Sequence, residues 1–194
     1  MKKRVFLVAV LLLPVFYLAA GGASDKSNMP FNWSLGLQDK KGEFISFSKP
    51  IKSKKGDRFS LLINPDAACF CYVIMELPDE NDLVVLFSGH LQKDEQWRST
   101  ELEPVTPGDS DFYVIVSQEE QKALAKRISA FSAKSGNAQR RALMNEVFSI
   151  RSAVSQFKET PEKPILTGGA VRNVDNREEF SGFDTYVKTI TIEY

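Results

Sequence analysis

The nine residues CFCYVIMEL, from Cys69 to Leu77, decide the fold of this 194-residue chain. Successive side chains of a β-strand point to opposite faces of a sheet, and here both faces are apolar. One face has Cys69, Cys71, Val73, Met75 and Leu77, and the other has Phe70, Tyr72 and Ile74. Because this composition is typical of a strand covered on both sides, the segment is predicted to be a central, buried strand.

The segments around this strand predict further strands. The polar residues 78–81 form a turn that leads into a second apolar run at 83–87, which indicates a β-hairpin. The chain ends in a clean alternation of apolar and polar residues over 186–194, which predicts a C-terminal strand. Other strands are predicted at 43–47, 59–63 and 112–116.

Two amphipathic helices are predicted before the last strand. Apolar residues recur there at intervals of three and four, as on one face of an α-helix. The first stripe consists of Leu124, Ile128 and Phe131, and the second of Leu143, Val147, Ile150, Val154 and Phe157. Ser117, with Glu120 three positions later, has the pattern of a helix N-cap. Residues 135–137 separate the helices, and Pro161 and Pro164 end the second one.

Together these elements predict an α+β fold, in which an antiparallel β-sandwich-like sheet has a helical pair packed on one side and a C-terminal strand. A single domain is predicted over 43–194. Its parts are a β-rich region at 43–117, the helical pair at 118–158, and a connector with the final strand at 159–194. Residues 24–42 are polar with scattered apolar side chains, and they are predicted to be a lead-in segment before the domain.

Residues 1–23 have the layout of a secretory signal peptide. Lys2, Lys3 and Arg4 precede an apolar run, and small residues follow it up to the expected cleavage site near Ala23. The run is shorter than a membrane-spanning helix and is interrupted by proline, so no integral membrane span is expected after cleavage. The chain is therefore predicted to be exported, as a periplasmic or a secreted protein.

The composition excludes several classes of function. The chain has 25 Lys and Arg against 25 Asp and Glu, so no overall basic charge favours nucleic acid as a partner. One His and two Cys are too few for most metal sites and for most nucleophilic catalytic sets. We therefore expect no cofactor, no bound metal and no catalytic residues, and we predict that the protein is not an enzyme.

Residues 50–120 resemble the bacterial family known as domain of unknown function 4384. The similar motifs are Gly56-Asp57, Cys71-Tyr72-Val73, Val85-Leu86-Phe87, and Pro107-Gly108 ahead of the segment 112–117. Ser88 departs from the family pattern, in which proline usually follows the Leu-Phe pair, and the acidic position after Gly108 is shifted. The resemblance implies an exported, β-rich bacterial module of unknown activity, and it implies no catalytic residues.

The predicted helices contain the best candidate for a binding surface. Residues 118–158 have eight basic residues against three acidic ones, whereas the rest of the exported chain is acidic. The candidate partner-binding residues are Lys122, Lys126, Arg127, Arg140 and Arg141. Such a surface suits an anionic lipid, a cell-wall polymer or an acidic protein. The alternative is an ordinary solvated helix face whose charge is balanced by the acidic remainder of the chain.

Cys69 and Cys71 lie two positions apart on the same face of the predicted central strand. Their separation, about 6.6 Å for a rise of ~3.3 Å per residue, is near the upper limit for a disulfide. Two buried thiols that act as small apolar side chains are the expected state. A strained disulfide or a reactive thiol pair is the alternative in an oxidising compartment.

These observations leave two main hypotheses of function. The first is an exported, non-catalytic envelope module that binds or supports another envelope component, either a protein or part of the cell wall. The second is a hydrolase or redox-active enzyme with an unfamiliar site around His90 or the pair Cys69 and Cys71. A purely structural protein without a ligand is a third hypothesis. An exposed C-terminal strand would offer one further mode of binding, by addition to a partner's sheet.

Overall fold

A computed structural model describes residues 31–77, 82–103, 108–132, 135–156, 177–182 and 184–194 of the chain. The strands in these residues are β1 (Phe31–Asp39), β2 (Phe44–Ile45), β3 (Ile51–Lys52), β4 (Phe59–Pro65), β5 (Cys69–Leu77), β6 (Asp82–Leu91), β7 (Trp97–Arg98), β8 (Asp109–Ser117), β9 (Glu178–Gly182) and β10 (Thr185–Glu193). The helices are α1 (Lys122–Ser129) and α2 (Asn137–Gln156), which lie between β8 and β9 in the chain.

The strands form two sheets. The first sheet has the order β2-β1-β4-β7, and β9 also pairs with β1. The second sheet has the order β3-β10-β8-β5-β6. Paired strands in the described residues are antiparallel, except that β3 and β10 are parallel. β5 therefore lies inside the second sheet between β8 and β6, which confirms the prediction of a central strand.

The inward faces of the two sheets enclose the main hydrophobic core. Trp33, Leu35 and Leu37 of β1 pack there with apolar side chains of β4, β5, β8 and β10. Cys71 and Val73 of β5 belong to the same core and have no exposed surface. This packing of one sheet on the other is the sandwich that the alternating strands predict.

The helices cover the opposite face of the second sheet. Tyr72 and Ile74 of β5 belong to a second core, together with Leu124 of α1 and Val147 of α2. The apolar stripes predicted for the helices thus form one side of this core. The molecule has three layers, which are the first sheet, the second sheet and the helical pair. The prediction of an α+β fold with helices on one side of a sandwich-like sheet is confirmed.

The hairpin and the C-terminal strand have the predicted structure. β5 and β6 pair antiparallel from Cys69 with Leu91 to Leu77 with Asp82, and the connecting residues 78–81 lie outside the described part of the chain. β10 pairs with β8 over its whole length. Its other side pairs with β3 at two positions, so β10 is the last long strand on that side of the second sheet.

The predicted lead-in segment is wrong for the residues that form β1. Phe31, Trp33, Leu35 and Leu37 alternate with polar or small residues, and this period of two gives a strand with one buried face. β1 pairs with β2, β4 and β9, so it connects three strands of the first sheet. The domain therefore includes residues 31–39.

The predicted connector is also wrong in part, because Glu178–Gly182 forms β9. This strand pairs antiparallel with the first half of β1, from Phe31 to Leu35. Its sequence, EEFSG, has no alternation of apolar residues, so pairing with β1 rather than local preference decides its structure. The predicted signal peptide, Phe157 and the two prolines after α2 lie outside the described residues.

The predicted N-cap at Ser117 is wrong because β8 continues through this residue. The Ser117 hydroxyl lies 2.9 Å from the hydroxyl of Thr185 on β10, so it is engaged within the sheet. The helix begins five residues later at Lys122, after Gln121. The Gln121 backbone N–H donates to the Tyr72 hydroxyl at 3.1 Å, so a strand side chain holds the residue that precedes the helix. Neither described helix is long and apolar enough to cross a membrane.

Candidate functional site

The five basic residues predicted to bind a partner lie on α1 and at the start of α2. Lys122, Lys126 and Arg127 are exposed along α1. Arg141 is exposed on α2, whereas its neighbour Arg140 is half-buried. Four of the five side chains therefore reach solvent on the helical layer, and we call these four residues the helical basic surface.

A hollow of about 200 Å³ lies where the end of α1 meets the start of α2. Arg127 and Ala130 line it from the first helix, and Ala138, Gln139 and Ala142 line it from the second. The small alanine side chains leave this space open, while the arginine and the glutamine provide its polar groups. The hollow has room for one side chain of a partner beside a guanidinium group.

The start of α2 adds positive charge to the same region. The unpaired N–H groups in the first turn of a helix give it a partial positive charge, which acidic residues often neutralise. The first turn of α2 has no acidic residue, and Arg140 and Arg141 follow within its first five positions. Gln139 Oε1 accepts the Gly136 N–H at 2.8 Å and so satisfies one of these groups. A carboxylate or phosphate from a partner would offset the charge that remains.

Arg140 has a different role from the other four basic residues. Its Nη2 lies 3.2 Å from Asp82 Oδ1 at the start of β6, and its side chain is only 22% exposed. This ion pair joins the helical layer to the edge strand of the second sheet. Arg140 is therefore a structural residue and does not belong to the helical basic surface.

Replacing Arg140 with Ala is expected to lower the free energy of unfolding by about 1 kcal/mol, because it breaks a partly buried ion pair. Arg141→Ala is the matched control and should change it by less than about 0.5 kcal/mol, since this side chain is exposed. Urea denaturation of Arg140→Ala, of Asp82→Ala and of the double variant measures the coupling between the two charges, and Arg141→Ala is measured beside them. A coupling energy of zero would contradict the structural role.

Cys69 and Cys71 are free, buried thiols in the core between the sheets. Burial, with a smaller effect from the charge of Asp66, raises the pKa of Cys69 to about 11. Burial also raises the pKa of Cys71 well above its ordinary value. Because the thiolate is the reactive form of cysteine, this environment suppresses nucleophilic and redox chemistry at both positions.

His90 is exposed on β6, the edge strand of the second sheet. Its ring packs edge-on against Phe70 with 4.9 Å between the ring centres, and its Nδ1 lies 3.2 Å from Nε2 of Gln92. Phe70 packs against the core on the helical side of the sheet, whereas both cysteines face the other sheet. The structure therefore does not bring His90 and the cysteines into one site. Within the described residues, no group of three or more His, Cys, Asp or Glu is arranged to hold a metal ion.

A second basic surface was not predicted to be functional. Six lysines lie between positions 40 and 55, and this high lysine content is visible in the sequence. The structure adds that the Lys40 ammonium group donates to the carbonyl oxygen of Gly56 at 3.4 Å. This contact places two lysine-rich turns side by side, which the sequence alone does not reveal.

Comparison with known proteins does not extend these observations. No protein-family model matches the chain, and a search of curated proteins finds no significant match. The resemblance to the domain of unknown function 4384 family stays a prediction, and the site is interpreted from its own geometry and charge.

Proposed function

We propose that the chain is an exported, non-catalytic module that binds an acidic component of the bacterial envelope through its helical basic surface. One observation supports this proposal above the others, namely the hollow between α1 and α2 with Arg127 beside it. A hollow with a cation at its wall favours an occupant that has a carboxylate or a phosphate group.

The surrounding charges support the same occupant. Lys122 and Lys126 extend the positive charge along α1, and Arg141 extends it onto α2. Complementary charge speeds the encounter of two partners and suppresses binding of wrong ones. The partner in this proposal is an acidic envelope protein or an anionic cell-wall component, and the protein acts in the periplasm or outside the cell.

Affinity capture from a membrane-free envelope extract tests the proposal. The exported chain should retain a saturable acidic partner. A variant with Lys122, Lys126, Arg127 and Arg141 changed to Ser should bind this partner at least about tenfold more weakly, since several exposed charge contacts of a few tenths of a kcal/mol each are lost. Arg140 is left unchanged, so that the ion pair with Asp82 is preserved.

The matched control removes the same positive charge from another part of the molecule. It changes Lys40, Lys41, Lys54 and Lys55 to Ser, all of which are exposed and distant in sequence from the helices. This variant should capture the partner as well as the unchanged chain does. If both variants lose the same affinity for the partner, binding depends on the net charge of the protein alone. That result would contradict a specific site on the helices.

A further inference from the structure

Two lysine-rich turns lie beside each other in the first half of the chain. The first turn follows β1 and is stabilised by Asp39, whose Oδ1 accepts the N–H groups of Lys41 at 2.8 Å and Glu43 at 2.9 Å. The second turn precedes β4 and is stabilised by Asp57, whose Oδ2 accepts the N–H of Lys54 at 2.9 Å. Both aspartates are therefore engaged by backbone groups of their own turns.

The geometry of the turns brings their lysines together. The Lys40 ammonium donates to the carbonyl oxygen of Gly56 at 3.4 Å, which links the two turns directly. Gly42 and Gly56 have φ angles of 81° and 84°, a left-handed conformation that glycine adopts without strain. The exposed lysines on these turns, which we call the lysine end, are Lys40, Lys41, Lys54 and Lys55.

Lysines outnumber the carboxylates in the segment that contains the lysine end. Positions 39–57 have six lysines against the three carboxylates of Asp39, Glu43 and Asp57, which gives this segment a net charge of +3. Arg58 follows the second turn and forms ion pairs with Glu101 at 3.1 Å and Glu103 at 3.2 Å. Because two carboxylates face one cation, this group lowers the local net charge from +3 to +2. The lysine end is a local excess of positive charge.

Apolar surface lies close to these charges. A hollow of about 200 Å³ is lined by Ile45, Ile51 and Phe59. Its charged lining residues are the basic Lys40, Lys52 and Arg58 and the acidic Asp39 and Asp57. β2 and β4 of the first sheet and β3 of the second sheet contribute to it, so it opens between the two sheets. Cations outnumber carboxylates by three to two around these apolar side chains, which favours a lipid, since a lipid has an anionic headgroup attached to hydrocarbon.

We propose that the lysine end lies on a membrane surface rich in anionic phospholipid headgroups. Lysine suits this role because its ammonium group is a mobile, strongly hydrated point charge that needs no single bound geometry. Near an anionic membrane each lysine strengthens binding about fivefold. The lysine end and the helical basic surface belong to different elements of the fold, so the two proposals stand or fall separately.

Sedimentation with lipid vesicles tests this proposal. The exported chain should bind vesicles that contain phosphatidylglycerol and should not bind vesicles of phosphatidylcholine alone. Raised salt should release it, because counterions screen exposed charges. Changing Lys40, Lys41, Lys54 and Lys55 to Ser should weaken binding to the phosphatidylglycerol vesicles by about 100-fold or more.

The control is the variant with Lys122, Lys126, Arg127 and Arg141 changed to Ser, which loses the same charge from the helical basic surface. It should bind the vesicles within about threefold of the unchanged chain, since its charges belong to α1 and α2 and not to the two turns. Circular dichroism of both variants verifies that they fold. Equal loss in the two variants, or failure of the unchanged chain to bind phosphatidylglycerol vesicles, would overturn the proposal. Binding to soluble polyphosphate without binding to vesicles would also overturn the membrane proposal. It would indicate that the ligand of the lysine end is a phosphate polymer.

Discussion

Replacing Trp33 with Ala is expected to lower the free energy of unfolding by about 3–5 kcal/mol, which is a large part of the stability of a single domain. Trp33 lies on β1 in the core between the two sheets and is only 2% exposed. Its ring contacts Tyr186 of β10 edge to face, with 6.1 Å between the ring centres. The substitution removes contacts between the sheets and leaves a cavity that their backbones cannot close.

Urea denaturation followed by circular dichroism measures this loss. Phe148→Ala is the matched control, because it removes another aromatic ring at a position that is 40% exposed. The Phe148 ring contacts Tyr113 edge to face, so its loss should cost about 1 kcal/mol or less. A cost for Trp33→Ala as small as that of the control would mean that β1 is not part of the main core.

The sequence was sufficient to predict four of the five strands of the second sheet because these four have strong local patterns, whereas the short β3 was not predicted. β5 and β8 are apolar on both faces, which requires cover on both sides, and the structure has the first sheet on one side and the helices on the other. β10 alternates with a period of two, and the helices have stripes with intervals of three and four. In these elements the local pattern and the tertiary environment agree.

The first sheet was harder to predict because long-range pairing determines much of it. Apolar and polar residues alternate clearly in β1, yet β1 directly follows a polar segment. The prediction therefore includes β1 in the lead-in segment 24–42. β9 has only five residues and no apolar pattern, and it is a strand because it pairs with β1, which is more than 140 positions earlier in the chain. The composition of a five-residue segment does not indicate which distant strand it will pair with, so β9 could not be predicted from its own sequence.

The same distinction applies to the candidate site. The count of basic residues in the helical region was visible in the sequence, and the structure leaves four of the five proposed side chains exposed. The ion pair of Arg140 with Asp82 joins residues 58 positions apart, and no local pattern marks it. The adjacency of the two lysine-rich turns likewise depends on how β1 and β4 pair in the first sheet.

In the folded protein, Cys69 and Cys71 are expected to react with Ellman's reagent at pH 8 at least about 100-fold more slowly than in the urea-unfolded chain. Burial raises the pKa of Cys69 to about 11 and that of Cys71 well above its ordinary value. At pH 8 the thiolate fraction is then about 100-fold smaller than that of an ordinary cysteine, and the core also blocks access of the reagent. The rate in the folded state should rise about tenfold per pH unit up to about pH 11 for Cys69, as its thiolate forms.

A reporter thiol on the surface provides the control for this experiment. Cys69→Ala and Cys71→Ala remove the native thiols, and Arg141→Cys in that background places a single thiol on an exposed position of α2. This reporter should react at the same rate in the folded and the unfolded protein. Slow reaction of the native pair beside a fast reporter would show that the protein itself, rather than the conditions, protects the two thiols.

The outcome also decides between the hypotheses of function. A redox enzyme needs at least one thiol that is ionised and accessible near neutral pH. Rapid reaction of the native cysteines in the folded chain would favour a reactive pair and would contradict their burial. Reaction only after a reductant is added would indicate a disulfide and would contradict two free thiols. Slow reaction in a chain that is fully reduced would remove the cysteines from the enzymatic hypothesis. His90 would then be its one remaining residue, and His90→Ala would test it without disturbing the core, because this side chain is exposed at the edge of the second sheet.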